Sequence, residues 1–179
     1  MILSLLGRKV ERTSFDDTSI APNIFRQAAQ EKFTLGLIGS TKVVISGAQK
    51  ILESTYNIKN IVSNSGYFSD GEKPEILSKY LKCDIVICSM GTPRQEIILL
   101  ELRKMGWQGT GFTCGGYFDQ LVSSDGKNYY PYIIDKLNLR WAYRIFREPK
   151  RLWRRYLLDY PLGVIKLTAS IKRLNIRKI

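Results

Sequence analysis

The chain has 179 residues, 44% of them apolar and 25% charged, which suits one globular domain with a real core better than two. Its formal charge is +12 and it has no histidine, so Ser/His or Cys/His nucleophilic schemes and histidine-ligated zinc are excluded. Any general base must be Asp, Glu, Lys, Tyr or a group on the substrate.

The opening MILSLLGRKV is apolar at first, but it lacks a basic n-region and a small-residue cleavage site, so no signal peptide is read there. No apolar stretch reaches the ~18 residues needed to span a bilayer. The expectation is a soluble or peripheral protein. Residues 32–40, KFTLGLIGS, form a short apolar run ending in glycine, as a buried parallel strand does. KVVISGAQKILESTY (42–56) reads as a helix, with Val43, Gly47, Ile51 and Tyr56 near one face. NIKNIVSNSGYF (57–68) gives a second strand and a glycine turn, and EKPEILSKYLK a helix with Pro74 near its start. CDIVICSMG is a third strand, PRQEIILLELRKMG the helix after it, and WQGTGFTCGGYF a fourth strand ending in a glycine pair. Cys83, Cys88 and Cys114 lie in or beside these apolar runs without C-x-x-C spacing; buried free thiols in a reducing cytosol are expected.

This alternation predicts a doubly wound, Rossmann-like parallel α/β domain over residues 1–128. Ligands of such domains bind outside the carboxyl ends of the strands. Three loops should therefore gather on one edge: Gly39-Ser40-Thr41, Gly91-Thr92-Pro93-Arg94-Gln95 and Cys114-Gly115-Gly116-Tyr117. Gly91 permits a sharp turn or a close ligand approach. Pro93 presets the first helical turn, Gln95 offers donors and an acceptor, and Glu96 caps the helix or accepts sugar hydroxyls.

From Tyr129 the character changes. Residues 129–148 read as an aromatic-rich helix, and a second helix starts at Pro149, giving a basic helical appendage over 129–179. From Asp135 onward there are 13 basic and 3 acidic residues, whereas the first 134 residues hold 15 basic and 13 acidic. Arg140, Arg144, Arg147, Arg151 and Arg154 are spaced as one helical stripe. A solvent-facing stripe accounts for that spacing, but five aligned guanidiniums with few carboxylates nearby favour an external anion. Nucleic acid is not expected, because no stacking platform or recognition motif accompanies the charge.

Taken together, G-x-P-x-Q-E (Gly91, Pro93, Gln95, Glu96), G-G-x-F-D (Gly115, Gly116, Phe118, Asp119) and W-x-x-R…E-P-x-R-x-x-R-R-Y (Trp141, Arg144, Glu148, Pro149, Arg151, Arg154, Arg155, Tyr156) resemble the WecG/TagA/CpsF glycosyltransferases, glycosyltransferase family 26. GYFSD at 66–70 and the segment around Glu11, Arg12 and Asp17 extend the likeness to residues 5–162. The resemblance implies inverting, metal-independent transfer from a UDP-sugar to a polyprenyl-diphosphate-linked sugar, without a cofactor. It sets this at the cytoplasmic membrane face, in bacterial surface-polysaccharide synthesis. It also implies that Arg12 and Gln95 line the donor pocket, with Gly39, Gly91, Pro93, Glu96, Gly115, Gly116 and Asp119 around it. Arg144, Arg151 and Arg154 would meet the diphosphates, where fixed guanidiniums stabilise a leaving UDP. The remaining basic and aromatic tail would hold an anionic leaflet. A homo-oligomer is left open.

Family members carry further residues ahead of the position of Met1, including the aspartate expected to act as general base. In their absence Asp17 is the nearby carboxylate to nominate, and the chain alone is expected to have low activity. SSDGKNYYP and Arg140 also depart from the family pattern. The alternative is a catalytically inactive UDP-sugar or anionic-lipid binding protein, separable by UDP binding without turnover.

Overall fold

A computed structural model describes residues 13–126, 129, 131–137, 139–147, 149, 161–163 and 165. The chain forms two compact units, Met1–Tyr129 and Tyr130–Ile179. The first contains α1 (Ala21–Gln30), β1 (Leu35–Gly39), α2 (Lys42–Tyr56), β2 (Ile61–Asn64), α3 (Lys73–Ser78), β3 (Ile85–Ser89), α4 (Arg94–Lys104), β4 (Thr110–Thr113) and α5 (Tyr117–Ser123). The four strands form a parallel sheet in the order β2-β1-β3-β4, as the alternation of elements predicts.

β1 and β3 are buried along their whole length, so their side chains are apolar on both faces except Ser89 at the end of β3, whose hydroxyl donates to Gly115 O. Leu35, Leu37, Ile85 and Ile87 face one layer, where Phe25 of α1, Ile45, Ala48 and Leu52 of α2, and Phe118 and Leu121 of α5 complete a core. Ile38, Val86 and Cys88 face the other, against Leu77 of α3, Ile98 and Leu102 of α4, and Trp107. The period of two along each strand thus becomes a three-layer sandwich. Gly36 makes room for this packing: a Cβ there would come within 2.7 Å of the Tyr80 ring, whose hydroxyl donates to Leu37 O at 2.8 Å.

Several expectations are corrected. The buried face of α2 is Ile45, Ala48 and Leu52; Val43 is 81% exposed. Ile51 and Tyr56 of the expected face do pack on the core as half-buried residues, whereas Val43 lies in the first turn, where Thr41 caps the helix by accepting from Val44 N. β4 spans only Thr110–Thr113: Trp107 instead anchors the preceding turn, donating from Nε1 to Cys83 O at 2.6 Å, and Tyr117 opens α5. Helices α1 and α5 were not expected. Residues 129–148 do not form one helix, since α6 (Tyr132–Lys136) and α7 (Arg140–Arg147) are separate. Of the three free cysteines, Cys83 and Cys88 are buried and Cys114 is half-buried. Among the described residues, no helix is long and apolar enough to cross a membrane.

Candidate active site

Strand order reverses at β1: the chain leaves it toward β2, then returns to place β3 on its other side. In sheets wound this way the ligand crevice lies at such a switch point, outside the carboxyl ends of the strands. There Gly39 (φ +140°) passes so close to β3 that a Cβ would lie 2.2 Å from Ser89 O. Only glycine fits. The next amide, Ser40 N, donates to that same carbonyl at 3.1 Å, and Ser40 O accepts from Gly66 N at 2.9 Å. The loop after β2 thus joins the cluster, with Gly66 packed on Gly39 and Met90. On the β4 side, Cys114 N donates to Cys88 O at 2.9 Å, and Ser40 Oγ donates to Asp119 Oδ1 at 3.0 Å. All three predicted loops, and a fourth, therefore meet on one edge.

Gln95 ties that edge together. Its side chain is buried, its Oε1 accepts from Gly115 N at 3.1 Å, and its Nε2 donates to Glu96 Oε1 at 2.9 Å and to Thr92 Oγ1 at 3.4 Å. The amide is thus occupied within the protein, bracing the loop after β3 against the loop after β4. Glu96 is half-buried, with its Oε2 shut off from solvent and without a hydrogen-bond partner. Donation from Gln95, then from the Glu96 backbone N–H and from Thr92, outweighs the cost of burial and holds the Glu96 carboxyl below its ordinary range. Gly91 (φ +72°) and Pro93, which caps α4 after a cis Thr92-Pro93 bond, give this loop its turn.

Asp17 meets the last residue of the loop after β4. Its Oδ1 accepts from the hydroxyl of Tyr117, whose ring is buried against Phe15 and Phe25. Burial raises the Asp17 pKa and outweighs the lowering effect of the Tyr117 hydroxyl; neighbouring Asp16 adds to the rise. Asp17 is therefore linked to the β4 loop through a phenol rather than through Gln95 or Glu96. Arg144 belongs to α7 of the second unit, which is described by its backbone at that position. Arg12, Arg151 and Arg154 lie outside the described residues.

Sequence reasoning set Ser40, Thr92 and Arg94 in the edge loops without giving them a role, and it missed Gly66 and Tyr67 as members of this edge. Arg94 Nη2 donates to Gly66 O at 3.4 Å, and the adjacent Tyr67 is 72% exposed. The signal for Gly66 and Tyr67 was the GYFSD motif, read as a glycine turn after the second strand but not counted among the loops of this edge. At the opposite, amino edge, a depression of about 490 Å³ is lined by Gln27, Phe33, Lys82, Asp84, Gln108 and Thr110 among others. Asp84 is engaged there in accepting from Thr34 N at 2.7 Å. The loop leading into β4 brings Gly106 and Gly109 to this depression, but parallel sheets of this winding bind ligands at the other edge.

Fold and edge define a Rossmann-like α/β protein whose strand-end loops meet at the β1/β3 switch point. The profile of the Glycosyl transferase WecG/TagA/CpsF family matches residues 1–177, and the chain belongs to that family of glycosyltransferases. It is 36% identical over 176 residues to the UDP-Gal:alpha-D-GlcNAc-diphosphoundecaprenol beta-1,4-galactosyltransferase of Shigella boydii. The match covers 97% of this chain and 71% of that relative.

Proposed function

We propose that this glycosyltransferase moves a sugar from a UDP-sugar to a polyprenyl-diphosphate-linked sugar, on the inner face of the bacterial cell membrane, during surface-polysaccharide synthesis. The observation that carries the reading is the hydrogen-bonded meeting of four strand-end loops at the switch point, in a chain similar to an enzyme named for a UDP-sugar donor and a diphosphoundecaprenol acceptor.

In this reading the donor lies across Gly39, Gly91, Gly115 and Gly116, where the absence of side chains lets it approach the backbone. Pro93, Gln95 and Glu96 shape the wall, with Gln95 positioning both loops. Asp119 and Arg12 meet the donor's polar groups. Arg144, Arg151 and Arg154, from a basic appendage over residues 129–179, neutralise the diphosphate as UDP leaves. Fixed guanidiniums do this without a metal. Asp17 is the candidate base: burial strengthens its hold on a proton, and Tyr117 fixes one carboxylate oxygen. Attack by the acceptor hydroxyl from the side opposite the departing UDP inverts the anomeric centre.

The second unit suits a membrane surface. Beside its arginines it exposes Ile133, Leu137, Phe146, Leu162 and Ile165, and Phe146 is 82% exposed. The test is UDP release from UDP-galactose and UDP-N-acetylhexosamines with a lipid-diphosphate-linked GlcNAc acceptor, with and without a chelator. Acceptor-dependent, chelator-resistant release supports the proposal. UDP binding without turnover on any acceptor would overturn it.

A further inference from the structure

Helix α4 begins at the candidate site and carries two large aliphatic residues outward, Ile97 (46% exposed) and Leu100 (61% exposed). They are one turn apart and thus on one face. Arg94 precedes them and Lys104 follows at helical spacing, and both are exposed. The acidic residues of α4 are turned to internal work: Glu96 accepts from Gln95 and Thr92, and Glu101 is paired with Lys73 at 2.9 Å. The outward face of the helix is therefore apolar along its middle and positive at both ends. Arg94 also binds Gly66 O, which sets exposed Tyr67 at the end of the same stripe.

We propose that this face, Tyr67–Arg94–Ile97–Leu100–Lys104, is a membrane contact made by the first unit itself, with an anionic lipid leaflet as its partner. The inference rests on the lipid-linked acceptor reading and deepens it: the sugar-binding edge would be held at the leaflet by its own wall helix. Charge complementarity selects the partner. Basic residues flanking apolar and aromatic side chains fit an anionic interface, where the cations meet headgroups and the aliphatic tips enter the acyl boundary. A second copy of the chain fits worse, because a face whose outward charges are all positive is not complementary to itself. On the adjoining loop Glu72 is held by Ser69, and Asp70, though exposed, lies 3.7 Å from the Lys73 ammonium.

The test places an environment-sensitive dye at Leu100→Cys, and separately at Ile97→Cys, in the full chain. Lys50→Cys on α2, in the opposite layer, is the control. The native thiols of Cys83 and Cys114 are pushed up to about 11 and about 12 by burial, which keeps them slow to label near neutrality. With phosphatidylglycerol vesicles, the dye at 97 and 100 should shift to the blue and the dye at 50 should not. The Ile97→Asp/Leu100→Asp double variant, with an unchanged circular dichroism spectrum, should lose about tenfold in vesicle partitioning. Vesicle binding by the unsubstituted protein with no shift at 97 or 100 overturns this inference and leaves the lipid-acceptor reading standing. Failure of the unsubstituted protein to bind vesicles overturns both. A shift that needs only high protein concentration indicates a second copy, and one equal on neutral phosphatidylcholine removes the charge argument; either overturns the proposal.

Discussion

The bracing role of Gln95 can be measured by comparing Gln95→Met with Gln95→Glu. Methionine keeps the length but no strong hydrogen bond, so Gly115 N–H loses its 3.1 Å acceptor and Glu96 its 2.9 Å donor. Stranding one half-buried amide costs about 1–3 kcal/mol. For a chain of this size that is a fall of roughly 2–10 °C in Tm. Glutamate keeps the acceptor for Gly115 but sets a carboxylate against Glu96, and two carboxylates at that spacing must share a proton. Gln95→Glu should thus approach parental stability in acid and lose it as pH rises. The parental Glu96 behaves oppositely: its folded pKa is lowered, so its contribution is present above 4.5 and is lost as pH falls through the folded value. The gap between parent and Gln95→Met should accordingly narrow in acid. Thermal melts across pH, with UDP affinity measured in parallel, read both effects. A Gln95→Met protein that melts with the parent at every pH and binds UDP equally well would refute the bracing argument.

Asp17→Asn should raise stability near neutrality, because burial opposes the ionised carboxylate; the gain should vanish as pH falls below 3.8. The same change should lower transfer by about 10²–10⁴-fold if Asp17 is the base. Melts and UDP release measure the two separately. Gly39→Ala should cost at least about 3 kcal/mol, since its Cβ would strike Ser89 O at 2.2 Å with φ at +140°; a chemical denaturation midpoint reports it. Arg144→Ala should lower kcat for UDP release by about 10²-fold or more with little change in Tm, as expected of a cation that acts on developing charge.

The sheet was legible because β1 and β3 are buried on both faces and leave continuous apolar runs bounded by glycine. The strand-end loops followed from the same glycines and the binding rule for parallel sheets. The start of the buried face of α2 was not legible, because Val43 sits in a capped first turn whose apolar residue need not face the core. Helix α5 was hidden by Tyr117 and Phe118, which read as strand residues but in fact fill the core between α1 and the sheet. The work done by Gln95 was hidden for a different reason. A motif tells which residue sits at the edge, and only the geometry tells that its amide is already occupied by Gly115, Glu96 and Thr92.

The account turns on where the nucleotide sits. Amide hydrogen exchange of the full chain with and without UDP tests that directly. Protection of the segments 39–41, 91–96 and 114–119 on UDP binding is the expected result. Protection confined to residues 82–84 and 106–110, at the opposite edge of the sheet, would contradict it.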